Sequence, residues 1–508
     1  MIFAASTTMQ ASEVKDPVHV DEKAPEKNAY KDADKALEFL RVNEEGEEGT
    51  VVSIDEKTLV KKIDWMIVPI MFACYFLQYL DKSLLNFAAV MGIREDANLT
   101  TEQYGTLSWL FYLAFLIFEM PHAYLMQRLP TAKYLGSCVC AWGTVVACTA
   151  ACDSYASLAV CRFLLGAFES AISPSLILVT SMWYKRDEQP RRIGFWYLGV
   201  GMAVMVGSLI SYGFQHYEGD QFNNWQIMYL VVGLITIAAG IVVILFLPDN
   251  PMSSRLTHDE KIMAVSRLRE NNTGIENKTF KTYQFREAMT DPQVWLLAFI
   301  TTAASIPNGA VSSFQSVIIS GFGFSNKETA LIQIPGGLIT AVSTLIGTYI
   351  AGRYNCRGLM LVTWAALGGI VGGGMIAFIP ASDRAGRLAG NYLTNMTGSF
   401  LPLAYALAAC NFAGHTKKVT MNAILLMSFC LGNILGPLTF RNEDAPNYQP
   451  AKITILAVEA VVLCATAVLV CYYRWENRRR DAAGASHQTD AGFSDMTDRE
   501  NKELRYKY

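Results

Sequence analysis

The stretch Trp65–Phe87, WMIVPIMFACYFLQYLDKSLLNF, sets an acid and a base, Asp81 and Lys82, side by side near the end of a long apolar run. At the edge of a soluble core helix such a pair is unremarkable. Inside a membrane helix each unpaired charge costs several kcal/mol, so it is seldom kept without a use. Which case applies depends on the rest of the chain. Of its 508 residues 52% are hydrophobic and 17% charged, with a mean hydropathy of +0.23. A soluble chain carries about 25% charged residues, so this one is apolar for its length.

Apolar runs of about 20 residues, enough to cross about 30 Å of hydrocarbon, recur along the chain. They fall near 65–90, 104–126, 134–152, 156–183, 192–214, 225–247, 293–319, 327–352, 358–379, 387–411, 419–439 and 452–473. The pattern predicts an all-α integral membrane protein with twelve transmembrane helices in two six-helix halves. The predicted organisation is a disordered cytosolic tail over 1–60, an N-terminal half over 61–247 and a cytosolic central loop over 248–291. A C-terminal half over 292–474 and a second disordered tail over 475–508 follow. Asp81 and Lys82 then lie within the first span.

Lys and Arg concentrate in alternate loops: Arg128 and Lys133; Lys185, Arg186, Arg191 and Arg192; the central segment; Arg353 and Arg357; Lys417 and Lys418. By the positive-inside bias these loops and both termini face the cytosol. The sequon at Asn98 falls outside and is a glycosylation candidate, whereas Asn271 and Asn277 fall inside. The net charge of −3 and short basic runs give no reason to expect nucleic acid as a partner. The eleven cysteines show no ligand spacing and most sit in apolar runs, so neither a disulfide framework nor a metal site is implied. No phosphate-binding GxxxxGK[ST] loop, GxSxG or HExxH occurs, and the glycines of GVGMAVMVG follow no strand. An enzyme, an ATP-driven pump and a cofactor are therefore not expected.

A second charged pair, Arg162 and Glu169, lies in the fourth span, CRFLLGAFESAISPSL. Seven residues apart, they share a helix face about 10 Å apart along the axis. Two opposite pairs in one half can neutralise one another, and a carboxyl so placed can load and release a proton as access or substrate changes. A static salt-bridge clamp is the alternative. Tyr75, Gln78 and Tyr79 in span 1, Asn308 in span 7, Gln333 in span 8 and Asn391 and Asn395 in span 10 are softer candidates. Each suits a substrate contact or an interhelical hydrogen bond. Glu119 and His122 sit near the cytosolic end of span 2.

Three stretches carry a resemblance: YLDKSLLNFA (79–88), RFLLGAFES with SMWYKRDEQPRR across span 4 and its loop, and NFAGHTKKVTMNAILLMSFCLGNILGPLTFRNEDAPNYQPA (411–451). Over about residues 60–475 the chain resembles the major facilitator superfamily, in its anion:cation symporter branch and the fungal allantoate permease group. The resemblance implies Asp81 and Glu169 as proton-coupling acids, with Lys82 and Arg162 near the substrate carboxylate or the coupling network. Tyr79, Asn308, Gln333 and Asn391 are the further candidate substrate contacts. Many relatives carry Arg at the position of Lys82, and Lys lacks the bidentate fork. The Asp-Arg signature usual after span 2 is replaced by HAYLMQRLP. The expected function is proton-coupled import of a small organic anion such as allantoate, ureidosuccinate, nicotinate or a related carboxylate across the plasma membrane, by a monomer in the lipid bilayer. Efflux of a secondary metabolite or toxin is the alternative; span 5 lacks the Gly-Pro motif common in antiporters of the superfamily. A nutrient sensor that does not transport is the alternative of another class.

Overall fold

The computed structural model describes residues 55–126, 128–185, 188–217, 222–269, 281–444, 448–483, 496–502 and 504–508, all within the unit Val52–Tyr508. The first 54 residues of the predicted N-terminal tail lie outside the described residues. Helices and their connecting turns account for the described chain, with no strand among the described residues.

The helices are α1 Glu56–Ala89, α2 Thr101–Met126, α3 Thr131–Thr149, α4 Tyr155–Trp183, α5 Arg191–Phe214 and α6 Asn224–Phe246. Two lie in the central segment, α7 His258–Arg269 and α8 Thr282–Thr290. Then follow α9 Pro292–Ser320, α10 Asn326–Tyr354, α11 Arg357–Phe378, α12 Arg384–Thr394, α13 Phe400–Asn411, α14 His415–Leu435 and α15 Gln449–Ala482. Ten of these segments are long and apolar enough to cross a membrane. The other two predicted spans are helical but fall short: α3, long enough at 19 residues but diluted by Lys133, Tyr134, Ser137 and its glycines, and the 387–411 span, which a 3₁₀ turn at Asn395–Ser399 divides into α12 and α13.

Start signals in the sequence explain the helix ends. Ser154 and Ser325 each close a capping box with the residue three positions on, and Asp55, Asp291 and Asp383 accept hydrogen bonds from the first-turn N–H groups. Within the first half α3 packs on α6, α2 on α4 and α1 on α5; within the second α9 packs on α14 and α15. One apolar cluster fills the first half and the junction between halves, and another fills the second.

Two faces can be told apart by chain path. The first two turns of α1 are tied to the central segment, where Glu56 takes the Arg267 guanidinium at 2.7 Å and Lys62 reaches Glu260 at 2.7 Å. The far end of α1 lies about 50 Å away along its axis. The halves meet chiefly where α1 touches α9, α2 touches α14 and α5 touches α10. At the α5–α10 crossing a Cβ on Gly201 would stand 2.7 Å from the Gly337 carbonyl oxygen, so only glycine permits that approach.

Two parts of the chain depart from expectation. The predicted central loop holds the helices α7 and α8. The predicted disordered C-terminal tail continues as α15 to Ala482, and Thr497 and Asp498 are fully buried. Composition misled because these polar residues are ordered by partners distant in sequence.

Candidate functional site in the junction between the halves

A narrow polar cavity of about 40 Å³, room for water and not yet for a substrate, lies between the halves. From the first half Tyr79, Ser83 and Asn86 line it, and from the second Asn308, Ser312 and Gln315, with Gln333, Thr394 and Asn395 alongside. Tyr79, Ser83 and Asn86 follow i, i+4, i+7 spacing along α1, as do Asn308, Ser312 and Gln315 along α9. Each set is one polar stripe on an otherwise apolar helix. The stripe signal was present in the sequence, yet of these six only Tyr79 and Asn308 stood out as site residues. Asn308 Oδ1 is buried without a partner.

At the end remote from the central segment the cavity is shut by amides that bridge the halves. Asn86 Nδ2 donates to Gln333 Oε1 at 2.8 Å, the Ser316 backbone N–H donates to Asn86 Oδ1 at 2.8 Å, and Gln333 Nε2 donates to Ser316 Oγ at 2.9 Å. Beyond them the Tyr104 hydroxyl is shared between the carbonyls of Leu85 and Ser313, at 3.0 and 2.8 Å. Phe314 and Phe440 stack at 4.2 Å.

The four charged candidates lie in the first half, but not as ion pairs: none has an opposite charge within 4 Å among the described residues. Asp81 is fully buried and its Oδ2 accepts from Thr236 Oγ1 of α6 at 3.2 Å, while Oδ1 has no hydrogen-bond partner. Arg162 donates to the Tyr229 hydroxyl at 2.6 Å. Glu169 is buried with Oε2 unpartnered, in electrostatic reach of Asp81, Lys82 and Arg162 and beside the Gln78 amide. Lys82 points elsewhere again. Its ammonium lies 5.2 Å from the ring centre of Tyr79, 5.0 Å from Tyr112 and 5.9 Å from Phe429, the last on α14 of the other half. Consecutive helix residues point about 100° apart, so Asp81 and Lys82 cannot share a partner direction. The opposite charges act on one another only at a distance, Arg162 on Asp81 and both cations on Glu169, while the direct partners are hydroxyls and aromatic faces. Thr236, Tyr229, Tyr112 and Phe429 were not legible as those partners.

The remaining candidates separate. Tyr79, Asn308 and Gln333 line the cavity; Asn391 does not, and is buried with neither amide atom partnered, while its neighbours Thr394 and Asn395 face the cavity. Asn98 is exposed after the helical turn Ile93–Asp96, with a left-handed φ of 49°. Glu287, Asp291 and Asp498 cluster closely enough for a cation, but the Lys417 ammonium already sits among them.

The site thus joins unpaired buried acids, an aromatic-caged ammonium and a polar cavity spanning two halves of a membrane protein. Comparison with known proteins places this arrangement. The family model of the Major Facilitator Superfamily matches residues 71–437. The thiamine pathway transporter THI73 of Saccharomyces cerevisiae is 38% identical over 94% of this chain and 94% of its own. The allantoate permease of the same yeast is 32% identical over 93% of this chain and 90% of its own. A bacterial homologue of the human lysosomal transporter Spinster, in its inward-facing unoccupied conformation, shares the fold with a TM-score of 0.62 at 15% identity, covering 79% of this chain and 95% of that one. The chain belongs to the major facilitator superfamily, in its fungal allantoate permease-like group, and is a multi-pass membrane secondary transporter of a small molecule and not an enzyme.

Proposed function

We propose that this transporter imports a small organic anion together with protons across the plasma membrane. The observation that carries the reading is Lys82: an ammonium with no carboxylate in ion-pair range among the described residues, held by aromatic rings from both halves and touching the cavity through Tyr79. An aromatic cage holds a cation without neutralising it, so the charge remains available to a carboxylate ligand. Candidate ligands are allantoate, ureidosuccinate, nicotinate and related carboxylates. Arg162 supplies a second cation nearby, hydrogen-bonded to a neutral phenol.

Asp81 and Glu169 are the proton carriers in this reading. Each has an oxygen without a hydrogen-bond partner, and neither is locked to a cation. An arriving anion at Lys82 changes the field at Glu169, which lies in reach of that ammonium, and so links proton occupancy to substrate occupancy. With the basic loops and both termini in the cytosol, the amide seal at Asn86, Gln333 and Ser316 closes the outer end. Import then requires that seal to open outward and the two halves to rock about the cavity. The protein acts as a monomer, and Asn98 faces outward as a glycosylation site.

Uptake of radiolabelled carboxylates in yeast cells lacking their own permeases tests the reading. Lys82→Ala should raise KM for the transported anion at least tenfold or abolish uptake. Unchanged KM in that variant would remove Lys82 from anion binding.

A further inference from the structure

Residues 496–502 and 504–508 dock beneath the second half, on the face of the central segment. Their anchor is Lys417, whose ammonium is fully buried and donates to three carboxylates: Glu287 at 2.8 Å, Asp291 at 2.7 Å and Asp498 at 2.7 Å. An ammonium has three N–H donors, so this set satisfies it completely. Glu287 belongs to α8, Asp291 caps α9, Lys417 opens α14, and Asp498 comes from the tail. The basic loops of the sequence read Lys417 as an anchor facing the cytosol; its side chain is instead the hub of a buried cluster.

Further bonds hold the tail along its length. Asp498 Oδ2 accepts from Gln293 Nε2 at 2.8 Å and from the Tyr506 hydroxyl at 2.9 Å. Arg480 of α15 donates to the carbonyls of Asp498, Asn501 and Leu504 and lies over the Tyr506 ring at 4.4 Å. Asn477 and Asn411 each make a two-way backbone pairing, with Tyr506 and Lys507 respectively. The tail therefore ties together the ends of α8, α9, α13, α14 and α15. All these partners lie in the second half or in α8, so the tail braces that half and does not plug the passage between halves.

Thr497 is the weak point of this brace. It is fully buried, and its Oγ1 donates to Glu287 Oε2 at 2.9 Å. Its N–H bonds Glu500 at 2.8 Å, and Glu500 N–H returns to Thr497 Oγ1 at 3.3 Å. Glu287, Asp498 and Glu500 thus surround the hydroxyl, while Lys417 is already saturated. A phosphate carries about two negative charges and would meet the carboxylates of Glu287 and Asp498, with Lys417 already saturated and Arg499 paired to Asp291 at 3.2 Å.

We propose that Thr497 is a phosphorylation site and that phosphate there releases the C-terminal brace and slows transport. Asp498 and Glu500 next to the acceptor suit an acid-directed protein kinase. The γ-phosphoryl group of a nucleoside triphosphate would pass to Thr497 Oγ1, the diphosphate leaving and the hydroxyl proton going to solvent. Because the docked hydroxyl is buried, the reaction takes place on an undocked tail and prevents its return.

Four variants of the full-length chain test this by transport and by trypsin protection of the tail, which holds Arg499, Lys502 and Arg505. Thr497→Glu should free the docked backbone so that trypsin cleaves at those sites, and lower maximal uptake at least threefold at equal membrane abundance, with KM unchanged because the cavity is untouched. Thr497→Val loses one hydrogen bond without adding charge and should keep both protection and uptake close to the original. Combining Glu287→Gln with Thr497→Glu removes one facing carboxylate and should restore protection in part, whereas Glu287→Gln alone should stay protected. Mass spectrometry of the chain from expressing cells should find phosphate on Thr497 in the cleavable fraction and not in the protected one. The proposal fails if Thr497→Glu stays protected or transports at full rate. It fails equally if the double variant shows no rescue, or if phosphate is absent or lies in the protected fraction.

Discussion

Lys82 and Asp81 adjoin in sequence and diverge in space, and their separate surroundings define what each can do. Lys82 needs its charge more than its shape, because ring faces attract any compact cation. Lys82→Arg is expected to retain part of the uptake with altered substrate preference, since guanidinium would add a planar fork to the same cage. Asp81→Asn and Glu169→Gln keep volume and hydrogen bonding while removing the titrating group. Each is expected to abolish accumulation against a gradient yet leave substrate exchange measurable, read as counterflow in preloaded vesicles. Concentrative uptake at the original level in both would separate these acids from coupling. That these charges lie within helices rich in apolar residues was legible, and so was the cost of burying them. Their partners were not, because nothing in a single helix shows which neighbouring helix offers Thr236 or Phe429.

At the level of elements, α11 and α15 share a less regular contact. Ala365–Gly372 of α11 forms a π-helical turn, and Glu459 of α15 is buried against it with Oε1 unpartnered. A methyl group on Gly369 would overlap the Glu459 side chain, so glycine is required there for space. Gly369→Ala normally favours a helix, but here it should destabilise by about 1–3 kcal/mol through overpacking. Adding Glu459→Ala should recover most of that loss in thermal unfolding of the detergent-solubilised protein.

The tie between α1 and α7 behaves differently because it is partly exposed. The bond from Lys62 holds the Glu260 carboxyl below its ordinary value, helped by the Thr257 N–H. An acid whose folded value is depressed adds stability that is fully present above its unfolded value of 4.5 and lost as pH falls through the lower folded one. Lys62→Ala should therefore flatten the loss of stability below that pH, while at pH 7 it costs only about 0–1 kcal/mol. A melting-temperature series from pH 7 down to 3 measures both. Twelve spans were legible as apolar runs; what the runs hid is that the 387–411 span is divided by a 3₁₀ turn into α12 and α13, because a local change of helix type leaves the hydropathy unchanged. The order of the C-terminal tail was hidden, since it depends on Lys417, about 80 residues earlier.

On the scale of the molecule, two halves meet across a polar cavity that is closed at the end away from the central segment. The apolar runs, the central break and the alternation of basic loops made this plan readable. The state of closure was not, because Asn86, Ser316 and Gln333 pair only in three dimensions. Proton-coupled import requires that acids reached from outside load more readily as external pH falls. The decisive measurement is uptake of radiolabelled allantoate, ureidosuccinate and nicotinate into proteoliposomes holding the purified chain, with and without an imposed inward proton gradient. At least one of the three should accumulate above equilibrium at external pH near 5. A protonophore should collapse that accumulation, and Glu169→Gln should show none. Equal accumulation without a gradient, or extrusion of the anion driven by inward protons, would contradict proton-coupled import.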